Sequence, residues 1–319
     1  MSLPAVSVII PAHNPHPGRL QRALQSLKDQ DLASDRWELL LIDNASDPPI
    51  DPGLLAWHPQ GQVLREPRLG LSYARLAGLA AARAGLLVWV DDDNCLGEGY
   101  LRQALELFEA HPRLGAAGGP ALAEYEQPPP AWFEPGLAPL GCRDHGPQPQ
   151  WMRWDAASPT YPPAAPIGAG LVIRRQALQQ WAEAVARDPR RQRLGRRGRA
   201  LSSGEDNDIN LTLLRQGWDL AYRPELVLRH LIPPGRLRLD YQQRLARASF
   251  RDFVRVLDVH GLRPWGPIAA WTLPLRALRA AWTHRVWRGP AARIRWAGTL
   301  GQYQGRAGLR PAVAPEQRP

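Results

Sequence analysis

The sequence predicts an α/β fold in which a mostly parallel sheet is flanked by helices and followed by a helical extension. Three observations carry this expectation. Apolar runs of strand length alternate with helix-spaced runs as far as Pro234, the pattern of parallel strands joined by helical crossovers. The first runs are apolar almost without interruption, as strands buried on both faces must be. Beyond Pro234 the strand pattern stops, and apolar residues fall at helical spacing among many arginines.

Taken in order, Ala5-Val6-Ser7-Val8-Ile9-Ile10-Pro11 reads as the first buried strand, ended by Pro11, with Ala12-His13-Asn14-Pro15 as the turn behind it. Leu20, Ala23, Leu24 and Leu27 then fall at i, i+3, i+4 and i+7 and predict a helix. Trp37 to Asp43 is a second strand closed by an acid, Asn44 to Pro49 a loop, and Val63 to Glu66 a short third strand. Gly70 to Ala84 reads as helix, Leu86 begins the next strand, and Leu101, Ala104, Leu105 and Phe108 mark another helix. From Gln127 to Pro166 prolines, glycines and tryptophans crowd together without periodicity, and such long irregular segments are often functional.

Ile167 to Ile173 restores strand character, Gln176 to Arg187 reads as helix, and Arg190 to Arg199 as a mobile arginine–glycine loop. Ser202-Ser203-Gly204-Glu205-Asp206-Asn207-Asp208 opens a helix that runs through Leu214 and stops at Gly217. Leu220 to Pro224 and Leu226 to His230 are the last strand-like pieces. In the extension Phe250, Phe253, Val254 and Leu257 form one apolar face, and the last dozen residues are expected to fray. No internal repeat appears, and no G-x-G-x-x-G follows the first strand, so the usual dinucleotide fingerprint is missing.

The 319 residues carry a formal charge of +10, and Lys28 is the only lysine, so the basic character is nearly all arginine. That balance favours anionic partners. Cys95 and Cys142 form no metal or redox pattern and fit a reducing compartment. The start lacks a basic and then apolar leader pattern, and no apolar run approaches the roughly 20 residues that span a bilayer. A cytoplasmic location follows as the expectation, with the inner face of the cell membrane as a peripheral alternative.

The chemistry centres on Leu86-Leu87-Val88-Trp89-Val90-Asp91-Asp92-Asp93-Asn94, where apolar residues run straight into three carboxylates. A core cannot hold three adjacent acids, because ionised carboxylates are costly to desolvate. The acids must therefore sit where the strand emerges at its carboxyl end, the edge at which open α/β sheets bind ligands. A cation among them relieves their repulsion, and hard oxygen ligands suit Mg²⁺ or Mn²⁺ held together with phosphates. A solvated acidic turn is the alternative for this stretch alone. Glu205 and Asp206 likewise fit either catalysis or simple helix capping.

Pro11-Ala12-His13-Asn14, Asp43-Asn44-Ala45-Ser46, Asp91-Asp92-Asp93 and Gly204-Glu205-Asp206, in this order and spacing, resemble the GT-A glycosyltransferases of family 2, especially bacterial enzymes of surface-polysaccharide assembly. The resemblance covers about Val6 to Pro234. It implies a GT-A, Rossmann-like nucleotide-diphospho-sugar transferase fold. It implies that Pro11, Ala12 and Asn14 line the nucleotide pocket, that Asp43 binds the base, and that Arg75 lies near the nucleotide. Leu76 stands where the family usually has Asn after that arginine. Asp91 and Asp92 would face the donor, and Asp93, with Asp91, would ligate Mn²⁺ or Mg²⁺. Asp206 would be the base, and Glu205 would orient the acceptor or its loop. Gly168, Ala169 and Gly170 resemble the stretch that faces the acceptor. His230 is either a further metal ligand, as in some relatives, or a hydrogen-bonded histidine at a strand end.

The expectation is an inverting glycosyltransferase that moves a sugar from a UDP-, GDP- or dTDP-sugar to a glycan or lipid-linked acceptor. Residues 1–234 would be catalytic, with 1–120 the nucleotide-sugar half and 121–234 the acceptor half, and 235–319 a basic Trp/Arg helical extension. A nucleotidyltransferase, or a silent GT-A-like subunit that binds a glycan or membrane, are the alternatives. The first lacks a basic glycine-rich loop after the first strand. In the extension Trp265, Trp271, Trp282, Trp287 and Trp296 interleave with Arg276, Arg279, Arg285, Arg288, Arg293 and Arg295. This fits an interfacial surface for an anionic membrane, and equally a basic appendage packed on the catalytic domain. No nucleic-acid signature appears, so nucleic acid is not an expected partner.

Overall fold

The computed structural model describes residues 3–192, 194–196, 198, 201–202 and 204–309. Strand β1 (Val6–Ala12) is followed by helix α1 (Pro17–Lys28), β2 (Trp37–Asn44), β3 (Gly61–Glu66), α2 (Leu71–Ala81) and β4 (Leu86–Trp89). Strands β1 to β4 form the parallel half of the main sheet, in the order β3-β2-β1-β4. Then come β5 (Asn94–Leu96), α3 (Tyr100–Ala110), β6 (Leu114–Gly118), β7 (Ala121–Tyr125) and β8 (Gln150–Met152). The second half of the chain adds β9 (Val172–Arg174), α4 (Arg175–Arg187), α5 (Pro189–Gln192), α6 (Glu205–Arg215), β10 (Asp219–Tyr222) and β11 (Leu228–Ile232). The main sheet continues β4-β9-β6-β10-β8, and β5-β11-β7 make a smaller sheet.

Alternation along each strand divides the core. Val6, Val8 and Ile10 face α1 and α3, whereas Ile9 faces α2, as side chains of period two require. Helices α4 and α6 cover the same face as α2. Both faces are thus sealed by helices, which accounts for the continuous apolar runs in the central strands.

The sheet departs from the predicted pattern in one consequential way. Strand β9 runs antiparallel to both β4 and β6. The apolar run Ile167–Ile173 is a strand only from Val172, because Gly168 to Gly170 make a turn in which Gly170 has φ +67°. Since Val88 pairs with Val172 antiparallel, that turn comes to the edge where β4 ends. Helix α6 precedes β10, which runs parallel to β6 and hence to β4, so its N-terminus reaches the same edge.

Strand β6 escaped the sequence reading because Leu114-Gly115-Ala116-Ala117-Gly118 holds no β-branched or aromatic residue. Its small residues are needed there. A Cβ on Gly115 would lie 2.6 Å from Cβ of Trp218. Strand β5 is too short to show a period.

Beyond Pro234 lie α7 (Leu239–Val259), α8 (Leu273–His284) and α9 (Pro290–Ala307). Helix α7 is built into the body. Its Leu245 and Ala246 cluster with Leu140, Ile232 and Ile294, and its Val256 and Leu257 with Leu194 and Leu211. Of the expected arginine–glycine loop, Arg190 and Arg191 belong to α5, whereas Arg193, Arg197, Arg199 and Ala200 lie outside the described residues, as does Ser203. Most of the dozen terminal residues expected to fray, 310–319, also lie outside them.

Helices α7 and α9 approach backbone to backbone through glycines: a Cβ on Gly301 would lie 2.0 Å from the Arg247 carbonyl oxygen, and one on Gly305 2.7 Å from Val254 Cβ. Gly301→Val is expected to lower unfolding stability by about 1–3 kcal/mol through overpacking. Denaturant unfolding checks this, and an unchanged midpoint would mean that α9 does not dock on α7 as described.

Candidate active site

The carboxyl ends of β1, β2 and β4, the turn before β9 and the start of α6 surround a cavity of about 540 Å³. Pro11, Ala12, Arg75, Asp91, Asp92, Asp93, Gly168, Ala169, Glu205, Asp206 and His230 line it. Residues more than a hundred positions apart in sequence are thereby brought together. Asn14, Asp43 and Gly170 are not among the lining residues. Asn14, at φ +46°, ties the first-strand turn to the second: its backbone N–H donates to Ser46 Oγ (2.9 Å), and Oδ1 accepts from Asp47 N (2.8 Å). Asp43 is buried, and its oxygens accept from Ser46 N (2.9 Å), Ile50 N (3.2 Å) and Arg65. Burial opposes its ionisation, but the Ser46, Arg65 and Ile50 donors outweigh this and hold it below the usual carboxylate range. Gly170 faces the core, where its carbonyl accepts from the Tyr100 hydroxyl.

Arg75 is the hub. It is 3% exposed and stacks 4.2 Å from the Trp89 ring centroid. Its Nη1 donates to Glu205 Oε1 (2.8 Å), and Nη2 lies 3.9 Å from Asp91 Oδ1. The other Glu205 oxygen accepts from Ser72 Oγ. Glu205 thus spends both oxygens on α2, as a positioning residue for Arg75. Gly168 is small because Arg75 passes over it: an added Cβ would lie 2.6 Å from Nη2. The Gly168 N–H donates to Asp206 Oδ2 (3.2 Å). Asp206 Oδ1 accepts from the Asn207 N–H (2.9 Å); among the described residues no side chain donates to Asp206, and it lines the cavity. Asp208, one helical turn from Gly204, is buried and accepts from Trp181 Nε1 (2.8 Å), Arg191 and His260 (2.7 Å); it anchors α6.

The small sheet delivers His230. Strand β11 pairs antiparallel with β5, which sets His230 beside Asn94 and next to Asp93. His230 Nε2 lies 3.4 Å from Asp93 Oδ1 and 2.9 Å from Arg236 Nη1, and Arg236 Nη2 donates to Asp93 Oδ2 at 2.7 Å. The two imidazole contacts exclude each other: Nε2 donates to Asp93 when protonated and accepts from Arg236 when not. Burial lowers the proton affinity of His230, but Asp93 and Cys142 overcome it and push it up to about 9. Burial also opposes the Asp93 charge, yet His230 and Arg236 hold that carboxyl well below the usual range. Asp92 has no such partners; burial and the neighbouring Asp93 and Asp91 push it up to about 7.

Asp93 Oδ1 and His230 Nε2 are a hard oxygen and an imidazole nitrogen close enough to share one ion at bonds of about 2 Å. The pair fits a divalent cation that would take over the place Arg236 now holds. Among the described residues no group of three or more His, Cys, Asp or Glu could hold an ion by itself. Its other ligands would have to come from a bound substrate and water.

Sequence reasoning missed Arg236 and Asn44. Asn44 lines the cavity and joins β2 to α2 through Arg68 O (2.7 Å) and Gly70 N (2.8 Å). Arg236 is one of many arginines and carries no motif. It missed too the wall from α7, namely Ser249, Phe250 and Phe253.

A doubly covered sheet with carboxylates at its carboxyl edge and an antiparallel strand beside the acid-tipped one is the arrangement of a GT-A fold. The solved structure of GalNAc-T7 with UDP, GalNAc and Mn²⁺ has the same fold, at TM-score 0.54 and 18% identity over 81% of this chain and 48% of that one. A profile described as "Glycosyl transferase family 2" matches residues 7–163, and one described as "Glycosyl transferase family group 2" matches residues 86–283. The chain belongs to family 2 of the glycosyltransferases. It is 26% identical to an N-acetylglucosaminyltransferase of Bradyrhizobium diazoefficiens over 78% of this chain and 50% of that one. It is 25% identical to an N-acetylglucosaminyltransferase of Rhizobium meliloti over 82% of this chain and 60% of the relative. The chain thus spans about half to three fifths of the length of these relatives.

Glu205→Gln leaves the buried Arg75 charge without its carboxylate and is expected to cost about 3–5 kcal/mol of stability. Asp206→Asn, which removes no ion pair, is expected to stay within about 1 kcal/mol of the parent. Thermal and urea unfolding of both variants separate the two roles; equal losses would contradict the division.

Proposed function

We propose that the chain transfers a sugar from a nucleotide-sugar donor to a hydroxyl of a glycan or lipid-linked acceptor, with inversion, in the synthesis of a cell-surface polysaccharide. The observation that carries this reading is one cavity holding two separately supported acidic groups. Asp91, Asp92 and Asp93 stand at the end of β4, and Asp206, held among the described residues by backbone N–H groups alone, stands at the start of α6. The names of the rhizobial relatives, and the UDP and Mn²⁺ with which GalNAc-T7 was solved, support a nucleotide-sugar substrate.

In this reading the donor diphosphate lies against Asp93, His230 and Arg236, and its sugar extends toward Asp206. Asp93 and His230 would hold Mn²⁺ or Mg²⁺, with Asp91 nearby. When bound, such an ion stabilises the charge that develops on the leaving diphosphate. Arg236, displaced from Asp93, is free to pair with a phosphate oxygen. Asp206 takes the proton of the acceptor hydroxyl, whose oxygen attacks the anomeric carbon as the bond to the diphosphate breaks. Gly168 and Ala169 border the acceptor side. Asp43 is buried and is not among the cavity-lining residues, so Pro11 and Ala12 are the better base contacts. The wall from Ser249, Phe250 and Phe253 argues that the catalytic unit runs past Pro234 into α7.

Purified protein is screened with UDP-, GDP- and dTDP-sugars and Mn²⁺ by thermal shift, then assayed for transfer. Asp206→Asn is expected to lower turnover by roughly 10²–10⁴-fold, as for a lost general base, with donor affinity nearly unchanged. Retained transfer would leave Asp206 a cap, and lost donor binding would put it on the wrong side of the sugar. Asp93→Ala is expected to weaken Mn²⁺-dependent donor binding itself. Donor affinity in the parent that does not respond to Mn²⁺ would overturn the metal reading.

A further inference from the structure

The outermost helix of the extension carries a surface that catalysis does not use. Helix α8 rests on α9, with Ala280 buried and Trp296 Nε1 donating to the Ala277 carbonyl (3.1 Å). Its other side is bare. Trp271, Leu275, Leu278 and Trp282 are 78%, 68%, 61% and 68% exposed, and Trp287, beyond the helix end, is 57% exposed. At about 100° per residue Leu275, Leu278 and Trp282 fall within a stripe of about 60°, and Trp271 lies in the turn that leads into the helix. Half of the ten large exposed apolar side chains among the described residues lie in this one segment. Such a concentration marks a surface made for contact, whereas scattered exposed side chains would not. The Trp282 and Trp287 rings meet edge to face at 5.1 Å, which braces the end of the ridge.

The charge around the ridge selects its partner. Arg279, Arg285 and Arg288 are exposed beside it. No Asp or Glu stands between Asp258 and Glu316 in the sequence, and Glu134, which borders Arg285 and Arg288 from elsewhere in the chain, is paired with Arg295. A second copy of this chain would bring the same positive charge against itself. An anionic lipid surface offers negative headgroups to the arginines and an interface in which tryptophan rings are favoured. No helix among the described residues is long and apolar enough to cross a membrane, so the contact would lie in the interface plane.

We propose that the Trp271–Trp287 segment is a docking face for anionic phospholipid bilayers, with Trp271, Leu275, Leu278, Trp282 and Trp287 entering the interface and Arg279, Arg285 and Arg288 pairing with headgroup phosphates. The face also has a mechanical route to the cavity. Helix α8 sits on α9, and α9 meets α7 at Gly298, where an added Cβ would lie 3.0 Å from Phe250, a cavity-wall residue. The inference does not depend on which sugar is transferred, or on transfer at all.

The full chain is sedimented with phosphatidylcholine vesicles and with phosphatidylcholine–phosphatidylglycerol vesicles, and tryptophan emission is followed. Binding is expected to the anionic vesicles only, with a blue shift, and to weaken with added salt. Arg279→Glu/Arg285→Glu/Arg288→Glu is expected to lower anionic-vesicle affinity by about 100-fold or more. Leu275→Ser/Trp282→Ser is expected to weaken anionic-vesicle binding and to reduce the blue shift, and binding equal to the parent's would overturn the proposal. Both variants alter exposed side chains, and an unchanged thermal midpoint shows that they fold. Parent protein that ignores anionic vesicles, or a charge-reversed variant that binds as well as the parent, overturns the proposal. So does concentration-dependent self-association that Trp282→Ser removes, since the face would then be a protein interface.

Discussion

The buried pair between Arg75 and Glu205 is the constraint on which the site depends. Neither group can be left alone in the core, since an unpaired buried charge is far costlier than a paired one. The pair therefore fixes the start of α6 against α2, elements 130 positions apart in sequence. Everything near it follows. Trp89, the last residue of β4, supplies an aromatic face for the guanidinium. Gly168 must lack a side chain so that Arg75 can pass. Ser72 takes the second carboxylate oxygen of Glu205. Asp91 then lies 3.9 Å from Arg75, and Asp206 accepts from the N–H of Gly168, over which Arg75 passes. A pair of this kind contributes little net stability; its effect is to give the cavity a single arrangement.

The second determinant is strand direction. Were β9 parallel, the Gly168–Gly170 turn would lie at the far edge of the sheet, away from the acids. The antiparallel insertion turns the chain back and places that turn beside Asp91. The small β5-β11-β7 sheet does the same for His230, which its pairing with Asn94 carries to Asp93. Helix α7 then closes the cavity from the side with Phe250 and Phe253, so the extension helps to shape the site.

Electrostatics divide the three consecutive acids by environment. Asp93 has a histidine and an arginine on its oxygens and stays ionised. Asp92, between two like charges, is driven toward the protonated form. Arg236 donates to Asp93 and lies 2.9 Å from His230 Nε2, which ties the two together. The outer face of α8 follows a different logic: its exposed tryptophans and leucines stand beside exposed arginines.

The sequence by itself determined the strands that are apolar on both faces, the helices with clear i, i+3, i+4 spacing, and the emergence of Asp91–Asp93 at a strand end. These are local consequences of burial and period, and they hold whatever the neighbours are. It also marked Asp206 and Glu205, through the family resemblance, as base and orienting residue, but not what Glu205 orients. The fold brings the Arg75 and Ser72 side chains to Glu205 and, among the described residues, only backbone N–H groups to Asp206. Strands β5 and β6 were illegible because three residues show no period, and because Gly115 and Ala116 answer to the packing of Trp218 and Leu213. Arg236 was invisible among many arginines, since its meaning lies in a 2.7 Å contact with Asp93 that no local pattern encodes. Asp43 looked open to a ligand from its place at a strand end, yet the loop behind it folds back and fills both its oxygens. Local pattern decides which segments are buried, whereas the partner of each charge is decided by which distant backbone the tertiary structure lays beside it.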